Sequence, residues 1–438
     1  MANKKLLIIS PYFPPSNAAD MQRIRMSLPY FQKYGWEPEV VVVEETYNDM
    51  INDPLLLTSV PKEIKVHKVK AFSKKWTSKF GLGSIALRSL YFYRRKVNKL
   101  LKSNHFDLIY FSTTQFPVCI LGAFWKKKFG IPYVIDIQDP WHSEYYQDKP
   151  KSQHPKKHWF SYRLNKYLEP IAMRNVDGLI GVSEAYINTL KTRYPNLVHK
   201  PCSIITFGAH EPDFDIAEQN SCLSESVYNT DNGKINLVYV GRGGFDMQQS
   251  VSLLLKIFKK GIDQNVDAFK NVHFHFIGTS YAPNGSGIPT LMPIANRLGL
   301  ANYVSEYTDR IGFYQSINHL LRADGLIVAG SNDPAYTASK LYPYILAKKN
   351  LLAILHPKSS AAKIIEECNA GFLTTLESDI DQAFVVFKLY FNNVKLKVTP
   401  LTNWQEFEKY RSDYLTKKQI DLFNSILSNN ELDKTSHH

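Results

Sequence analysis

Two α/β domains of the Rossmann-like type, facing one another across a cleft, are the fold class this sequence predicts. Three observations carry that reading. The chain has 438 residues, too many for one compact core, so two domains are expected. Short apolar runs alternate with segments of helical periodicity, and the alternation starts twice, near residue 5 and again near residue 235. Each series has its own punctuated first loop, Ser10-Pro-Tyr-Phe-Pro-Pro-Ser-Asn17 in the first and Gly241-Arg-Gly-Gly-Phe-Asp246 in the second.

The first series opens with an apolar strand over residues 5–9 and its proline loop. Asn17 or Asp20 is placed to cap a helix over 21–34, where Ile24, Leu28 and Phe31 recur at helical spacing, and Gly35 closes it. Strands are predicted over 39–43 and 64–69, on either side of an irregular insertion at 44–61. A basic segment then leads into a helix ending near Ser103. Strand 107–111, a helix over 116–128 entered through Pro117, and strand 133–137 follow, the last ending in Gln138-Asp-Pro-Trp141. Residues 142–158 are polar and rich in Lys and His, and read as a loop. A helix over 160–175 and a strand over 178–182 complete the domain, taken as residues 1–211, with Ser183-Glu184 starting a further helix.

Residues 212–234 are polar and read as a linker. The second domain, 235–400, has strand 235–240, the Gly-rich loop, an amphipathic helix to about Lys260 and strand 272–277 ending at Gly278. Residues 279–303 read as loop and helix. Strand 325–329 runs into Gly330-Ser331-Asn332-Asp333-Pro334, a helix is expected from about Ser339 with Lys340 in its first turn, and strand 351–355 follows. Strand, polar loop and helix in that order gather free N–H groups, the hydroxyls of Thr337 and Ser339 and one lysine at one end of a parallel sheet, where anions bind. The same pattern also fits an ordinary crossover whose Ser and Thr merely cap the helix. The tail around 404–427 is amphipathic and helical.

Composition is that of a soluble globular protein, 44% hydrophobic and 21% charged. Four widely spaced cysteines, Cys119, Cys202, Cys222 and Cys368, show neither metal-ligand pairing nor a disulfide framework, so a reducing cytosol is the simplest compartment. No run approaches the ~20 apolar residues of a membrane span. The net charge of +13 is uneven: residues 62–102 hold thirteen Lys and Arg against the single acid Glu63, interleaved with Trp76, Phe80, Leu82, Tyr91 and Phe92. This stretch is either a solvated helical face with core aromatics or a peripheral contact with anionic lipid on the inner face of a membrane. No recognisable nucleic-acid module is present, so nucleic acid is not an expected partner.

The order Ser10-Pro-Tyr-Phe-Pro-Pro, Asp136-Ile-Gln-Asp-Pro-Trp141, Val182-Ser-Glu184, Tyr239-Val-Gly-Arg-Gly-Gly244 and Ser339-Lys-Leu-Tyr342 resembles the GT-B glycosyltransferases, specifically the retaining family-four-like group. The resemblance covers nearly the whole chain. It implies an N-terminal acceptor-binding domain, a C-terminal domain for a nucleotide-sugar donor, and a terminal helix, here 401–430, that returns to the N-terminal domain. It carries roles onto particular residues. Arg242 matches the arginine on the donor diphosphate, a task suited to a planar fork that stays charged. The family's lysine about six residues later is replaced by Gln248, and Lys340 takes its place. Gly241, Gly243, Gly244 and Gly278 approach the donor through backbone, and Asn17 and Ala18 stand where the family has a Gly pair beside the phosphates. The family's two glutamates fall at Ala335 and Pro343, so Asp333, Tyr336 and Tyr344 are the nearby polar substitutes. On the acceptor side, Asp136 and Asp139 are the best polar groups, with Gln115, Trp141, His142 and Glu144 close in sequence, and Arg23 and Arg25 suit an anionic acceptor. Asp139 also reads as a turn aspartate before Pro140. An inverting enzyme needs a base among these, whereas a retaining one uses the leaving phosphate and a carboxylate that orients the acceptor.

The expected activity is transfer of a sugar from a nucleotide-sugar to a hydroxyl of a saccharide or lipid-linked acceptor, in surface polysaccharide or glycolipid synthesis, with no metal and no other cofactor. The rivals are an epimerase or phosphorylase of the same fold, and a non-catalytic partner that binds a nucleotide-sugar or glycan.

Overall fold

The computed structural model describes residues 3–144, 147, 158–282, 285–334 and 339–435. They divide into two compact units, Met1–Gly208 with Ser412–His438, and Ala209–Arg411. The first unit is built on seven parallel strands: β1 (Lys4–Ile9), β2 (Trp36–Val43), β3 (Lys65–Val69), β4 (Leu108–Ser112), β5 (Tyr133–Ile137), β6 (Gly178–Gly181) and β7 (Cys202–Ile204). Their order is β3-β2-β1-β4-β5-β6-β7. The central strands β4 and β5 are buried at every residue, as apolar strands covered on both faces must be.

The long helix Ser412–Thr435 belongs to this first unit. Its Leu415, Ile420, Phe423 and Ile426 join the core beside Trp36 and Tyr110, with the Phe423 ring 5.7 Å from Trp36 and 5.1 Å from Tyr110. Polar ties hold its register: Gln419 donates to the Ser27 hydroxyl at 2.8 Å and Lys418 to the Ile204 carbonyl at 2.9 Å. Burying one such aromatic contributes about 1.5–3 kcal/mol, so the tail is an integral layer of the unit.

The second unit has six parallel strands: β8 (Ile235–Val240), β9 (Val272–Ile277), β10 (Val304–Tyr307), β11 (Gly325–Ala329), β12 (Leu351–Leu355) and β13 (Phe372–Thr375). They run in the order β10-β9-β8-β11-β12-β13. Both sheets therefore reverse direction of winding between two adjacent strands, β1 and β4 in one, β8 and β11 in the other. Loops leaving the carboxyl ends of such a pair diverge and leave a crevice for a ligand. Residues 212–234, expected as a linker, instead carry helix Pro212–Gln219 and pack within the second unit. Among the described residues no helix is long and apolar enough to cross a membrane.

Candidate active site

In the second unit the loops after β8 and β11 meet at the winding reversal. Ser250 donates to the Gly330 carbonyl at 2.8 Å, and the Asn332 N–H reaches the Asp246 carbonyl at 3.2 Å. Arg242 leaves the first of these loops and pairs with Asp246 at 2.7 Å, both side chains about one-third exposed. An ion pair so wetted is worth only about 0.2–1 kcal/mol, so it orients the guanidinium without locking it away from an incoming anion. Lys340 enters from the second loop. Its side chain lies over Gly241, where a Cβ would collide with the ammonium and Cε. The ammonium is 5.5 Å from the Tyr239 ring centroid, close enough for cation–π attraction. It has no carboxylate partner among the described residues. Burial, reinforced by Arg242 and Arg310, lowers its pKa from the ordinary lysine value to about 7.

A cation that is desolvated, surrounded by other cations and left without a counter-ion is an anion site in waiting. The neighbouring backbone is fixed rather than offered. Gly241, Gly243 and Gly278 donate their N–H groups to Ile277, Thr279 and Tyr307. The Tyr344 hydroxyl, expected as a donor contact, accepts from the Val240 N–H at 2.6 Å and is 3.1 Å from its carbonyl, clamping the end of β8. The helix from Ser339 spans only Leu341–Leu346, too short to gather a strong dipole, so the side-chain cations carry the electrostatics. Asp333 and Ser339 are exposed beside them. Tyr336 and Thr337 lie outside the described residues.

In the first unit the structure brings together some of the expected acceptor residues and not others. Gln115, Asp139 and Trp141 line one cavity of about 510 Å3 at the carboxyl ends of β4 and β5. Asp136 does not reach it. Its carboxylate is fully buried and binds Arg23 Nε at 2.5 Å, with Ser112 and Gln138 donating to the same oxygen at 3.2 and 2.8 Å. Arg23 in turn donates to the Ile205 and Thr206 carbonyls at 2.8 and 3.0 Å, so this pair fastens a helix to the sheet and is not presented to an acceptor. Arg25 is also fully buried, with Nε on Gln22. The Asn17 N–H bonds to the Ile51 carbonyl of the insertion after β2, and the Ala18 N–H to Ser16 in its own loop. Glu144 accepts from the Tyr162 hydroxyl at 2.9 Å and lies outside the cavity lining.

Residues 57–208, about a third of the chain, match the family model described as Glycosyltransferase Family 4. Solved structures match over almost the full length. Anabaena HepE, determined in complex with UDP, is 16% identical, with 96% of this chain and 100% of that one covered and a TM-score of 0.56. The trehalose-6-phosphate synthase of Burkholderia multivorans is 11% identical, covering 99% and 98% with a TM-score of 0.61. WaaG, a glycosyltransferase involved in lipopolysaccharide biosynthesis, is 15% identical, covering 96% and 99% with a TM-score of 0.55. The chain has the GT-B glycosyltransferase fold. No curated protein sequence matches it.

Within this GT-B frame, two carboxylates that sequence reasoning did not single out for these roles hold the site walls. Glu306, at the end of β10, accepts from Thr279 Oγ1 at 2.8 Å and from the Thr290, Leu291 and Met292 N–H groups at 3.0, 2.9 and 2.7 Å. It closes the loop that flanks Gly243. Asp20, expected as a helix cap, accepts from Thr113 Oγ1 at 2.8 Å and the Thr114 N–H at 3.1 Å, tying the proline loop to the loop after β4. Burial raises its pKa. Neither role has a local signal, because every partner is distant in sequence.

Proposed function

We propose that this GT-B protein is a nucleotide-sugar-dependent hexosyltransferase acting with retention on a hydroxyl of a saccharide or lipid-linked acceptor. The observation that carries the reading is the Lys340 ammonium over Gly241, beside Arg242 and without a carboxylate partner among the described residues, at the winding reversal of the second sheet. A donor diphosphate supplies a counter-charge for the Lys340 ammonium and a second anionic partner for Arg242, which already pairs with Asp246. In the transfer, the bond from the anomeric carbon to the phosphate oxygen breaks as the acceptor oxygen bonds to that carbon. The hydroxyl proton passes to a leaving phosphate oxygen, and the charge gathering on the diphosphate falls on the guanidinium and ammonium. Two fixed cations meet that demand, so the reaction as proposed calls on no metal. HepE, which shares the fold, was solved with UDP, and that supports a uridine diphosphate leaving group here. We place the acceptor in the first unit and the enzyme at a cytoplasmic membrane face in polysaccharide or glycolipid synthesis. The exposed Trp76 and Phe80 among Lys74, Lys75 and Lys79 support this.

The test is calorimetric and enzymatic together. The purified chain is expected to bind UDP, and to release UDP from a UDP-hexose when acceptor is supplied. Arg242→Ala should lower both by at least tenfold with the fold intact. Binding without release would favour the non-catalytic partner, a reading the absence of glutamates at Ala335 and Pro343 keeps alive. Unchanged UDP affinity in Arg242→Ala would remove the diphosphate assignment.

A further inference from the structure

The cavity in the first unit carries chemical information about what enters it. Among the described residues that line it, only Asp139 is charged, and none is Lys, Arg or His. Part of its lining is apolar: Trp141 stacks on Phe116 with ring centroids 5.4 Å apart and planes 17° from parallel, and Phe160, Leu87 and Leu164 also line it. Asp139 apart, the other polar side chains of the described lining are hydroxyls and amides. The orientation of Asn165 is fixed, because Trp141 Nε1, which can only donate, binds its Oδ1 at 3.2 Å. Its amide N–H groups therefore point elsewhere and find no partner among the described residues. Gln115 Oε1 accepts from the Ser84 hydroxyl at 3.3 Å, which leaves its N–H groups similarly unused. The Asp139 carboxylate accepts no hydrogen bond among the described residues.

We infer that this cavity is the acceptor subsite and takes an uncharged sugar ring, whose apolar face lies on the aromatic lining and whose hydroxyls meet the Gln115 and Asn165 amides and the Asp139 carboxylate. This rests on the transferase reading above and narrows its substrate class. A hydroxyl both donates and accepts, so a polyol satisfies two amide donors and one carboxylate acceptor at once. A phosphate or carboxylate on the ring does not fit. It brings a second negative charge toward Asp139 and finds no cation among the described lining residues, an arrangement that costs both repulsion and desolvation. The volume lies inside the range of about 300–1,000 Å3 of small-molecule sites. Arg23 and Arg25, the residues that would have suited an anionic acceptor, are buried.

The experiment is saturation-transfer NMR on the full chain with methyl glucoside and methyl galactoside as neutral probes, and glucose 6-phosphate and methyl glucuronide as anionic ones. UDP binding is measured in parallel by calorimetry. The neutral glycosides are expected to receive saturation and the anionic ones to receive far less. Asn165→Asp and Gln115→Glu keep shape and the bonds from Trp141 and Ser84 while removing the amide donors. Each is expected to weaken glycoside binding by about fivefold to tenfold, the loss of one or two hydrogen bonds, with UDP affinity unchanged. Stronger binding of the anionic probes, no glycoside binding, or full binding in both variants would overturn the inference. Glycoside binding without UDP binding would sink the transferase reading and leave the sugar subsite standing.

Discussion

Lys340 lies across Gly241, its ammonium occupying the space that a Cβ at that position would need. The glycine also has a positive φ of +154°, which side-chain-bearing residues rarely adopt. Gly241→Ala therefore has two effects. It strains the turn after β8 and pushes the lysine off the Tyr239 face. We expect UDP affinity to fall at least tenfold while circular dichroism stays native. Equal affinity would mean that the lysine reaches the ligand by another path.

On the proposed function, the same lysine should give UDP binding a pH dependence. Its pKa in the free protein is lowered to about 7, and a bound diphosphate favours the ammonium, so binding takes up a proton at higher pH. Affinity should fall as pH rises above 7, by up to about tenfold per unit. Arg242 stays charged and leaves a residual affinity. Lys340→Arg should flatten the slope, and that comparison separates the lysine from titration of the phosphate itself. Stability runs the other way. Below the unfolded lysine value the unfolded chain holds a proton the folded chain resists, so Lys340→Met should raise the melting temperature at pH 7 as it weakens UDP binding to the residual level that Arg242 supports.

The Arg23–Asp136 pair, with side chains 3% and 0% exposed, should behave as structure and not as catalytic machinery. Removing one partner leaves a buried charge uncompensated. Arg23→Met is expected to cost about 3–5 kcal/mol in urea unfolding, while Arg23→Met with Asp136→Leu recovers much of it. A catalytic role would instead show as lost turnover at unchanged stability.

How far the sequence could be read follows from how local each signal is. The buried strands β1, β4, β11 and β12 are near-continuous apolar runs and announce themselves, while β5, β8 and β9 carry Asp136, Asn236, His273 and His275 among their apolar residues. Strands β7, β10 and β13 span three or four residues at or toward the sheet edges, and their pairing partners define them more than their own pattern does. That Arg242 and Lys340 come close together was legible because each follows a recognisable strand and loop. Arg23 and Arg25 were misjudged, since charge alone does not say that an Asp136 or a Gln22 awaits it in the interior. Asn165 was missed for a related reason. It sits mid-helix in a polar stretch, and only Trp141 across the fold turns its amide into a directed donor.

The segment around Trp76 offers a test of membrane contact. Trp76 and Phe80 are 68% and 75% exposed, and Lys79 sits 5.1 Å from the Trp76 ring. Lys74 is paired with Asp49, so its share is smaller. At ~1 kcal/mol per lysine near an anionic surface, changing Lys74, Lys75 and Lys79 to Ala should weaken sedimentation with phosphatidylglycerol vesicles by about tenfold to hundredfold. The difference should shrink in high salt. Equal pelleting would make this stretch plain solvated surface.

On the face of β9 away from the helix Gln248–Asp263, three histidines lie where burial disfavours their charged form. His319 accepts from the Val227 N–H at 3.0 Å through Nε2, and its Nδ1 is 2.7 Å from the Gln315 carbonyl, so both nitrogens are engaged without a spare proton. His275 stacks on Tyr228 at 4.0 Å, with Nε2 on Asn236 at 2.9 Å. Burial, with His273, Lys234 and His319 nearby, pushes its pKa down to about 3. Burial also lowers His273 and His319. A histidine that stays neutral when folded and charges when unfolded contributes nothing above about pH 6.5 and destabilises progressively below it. At pH 5 His275 alone should cost about 2 kcal/mol. Hydrogen exchange of the β9 amides, corrected for intrinsic rates, should therefore show lost protection between pH 7 and pH 5. His275→Phe keeps the stacking on Tyr228 and should remove most of that loss. Protection that is independent of pH in the unaltered chain would show that the cluster is not held neutral.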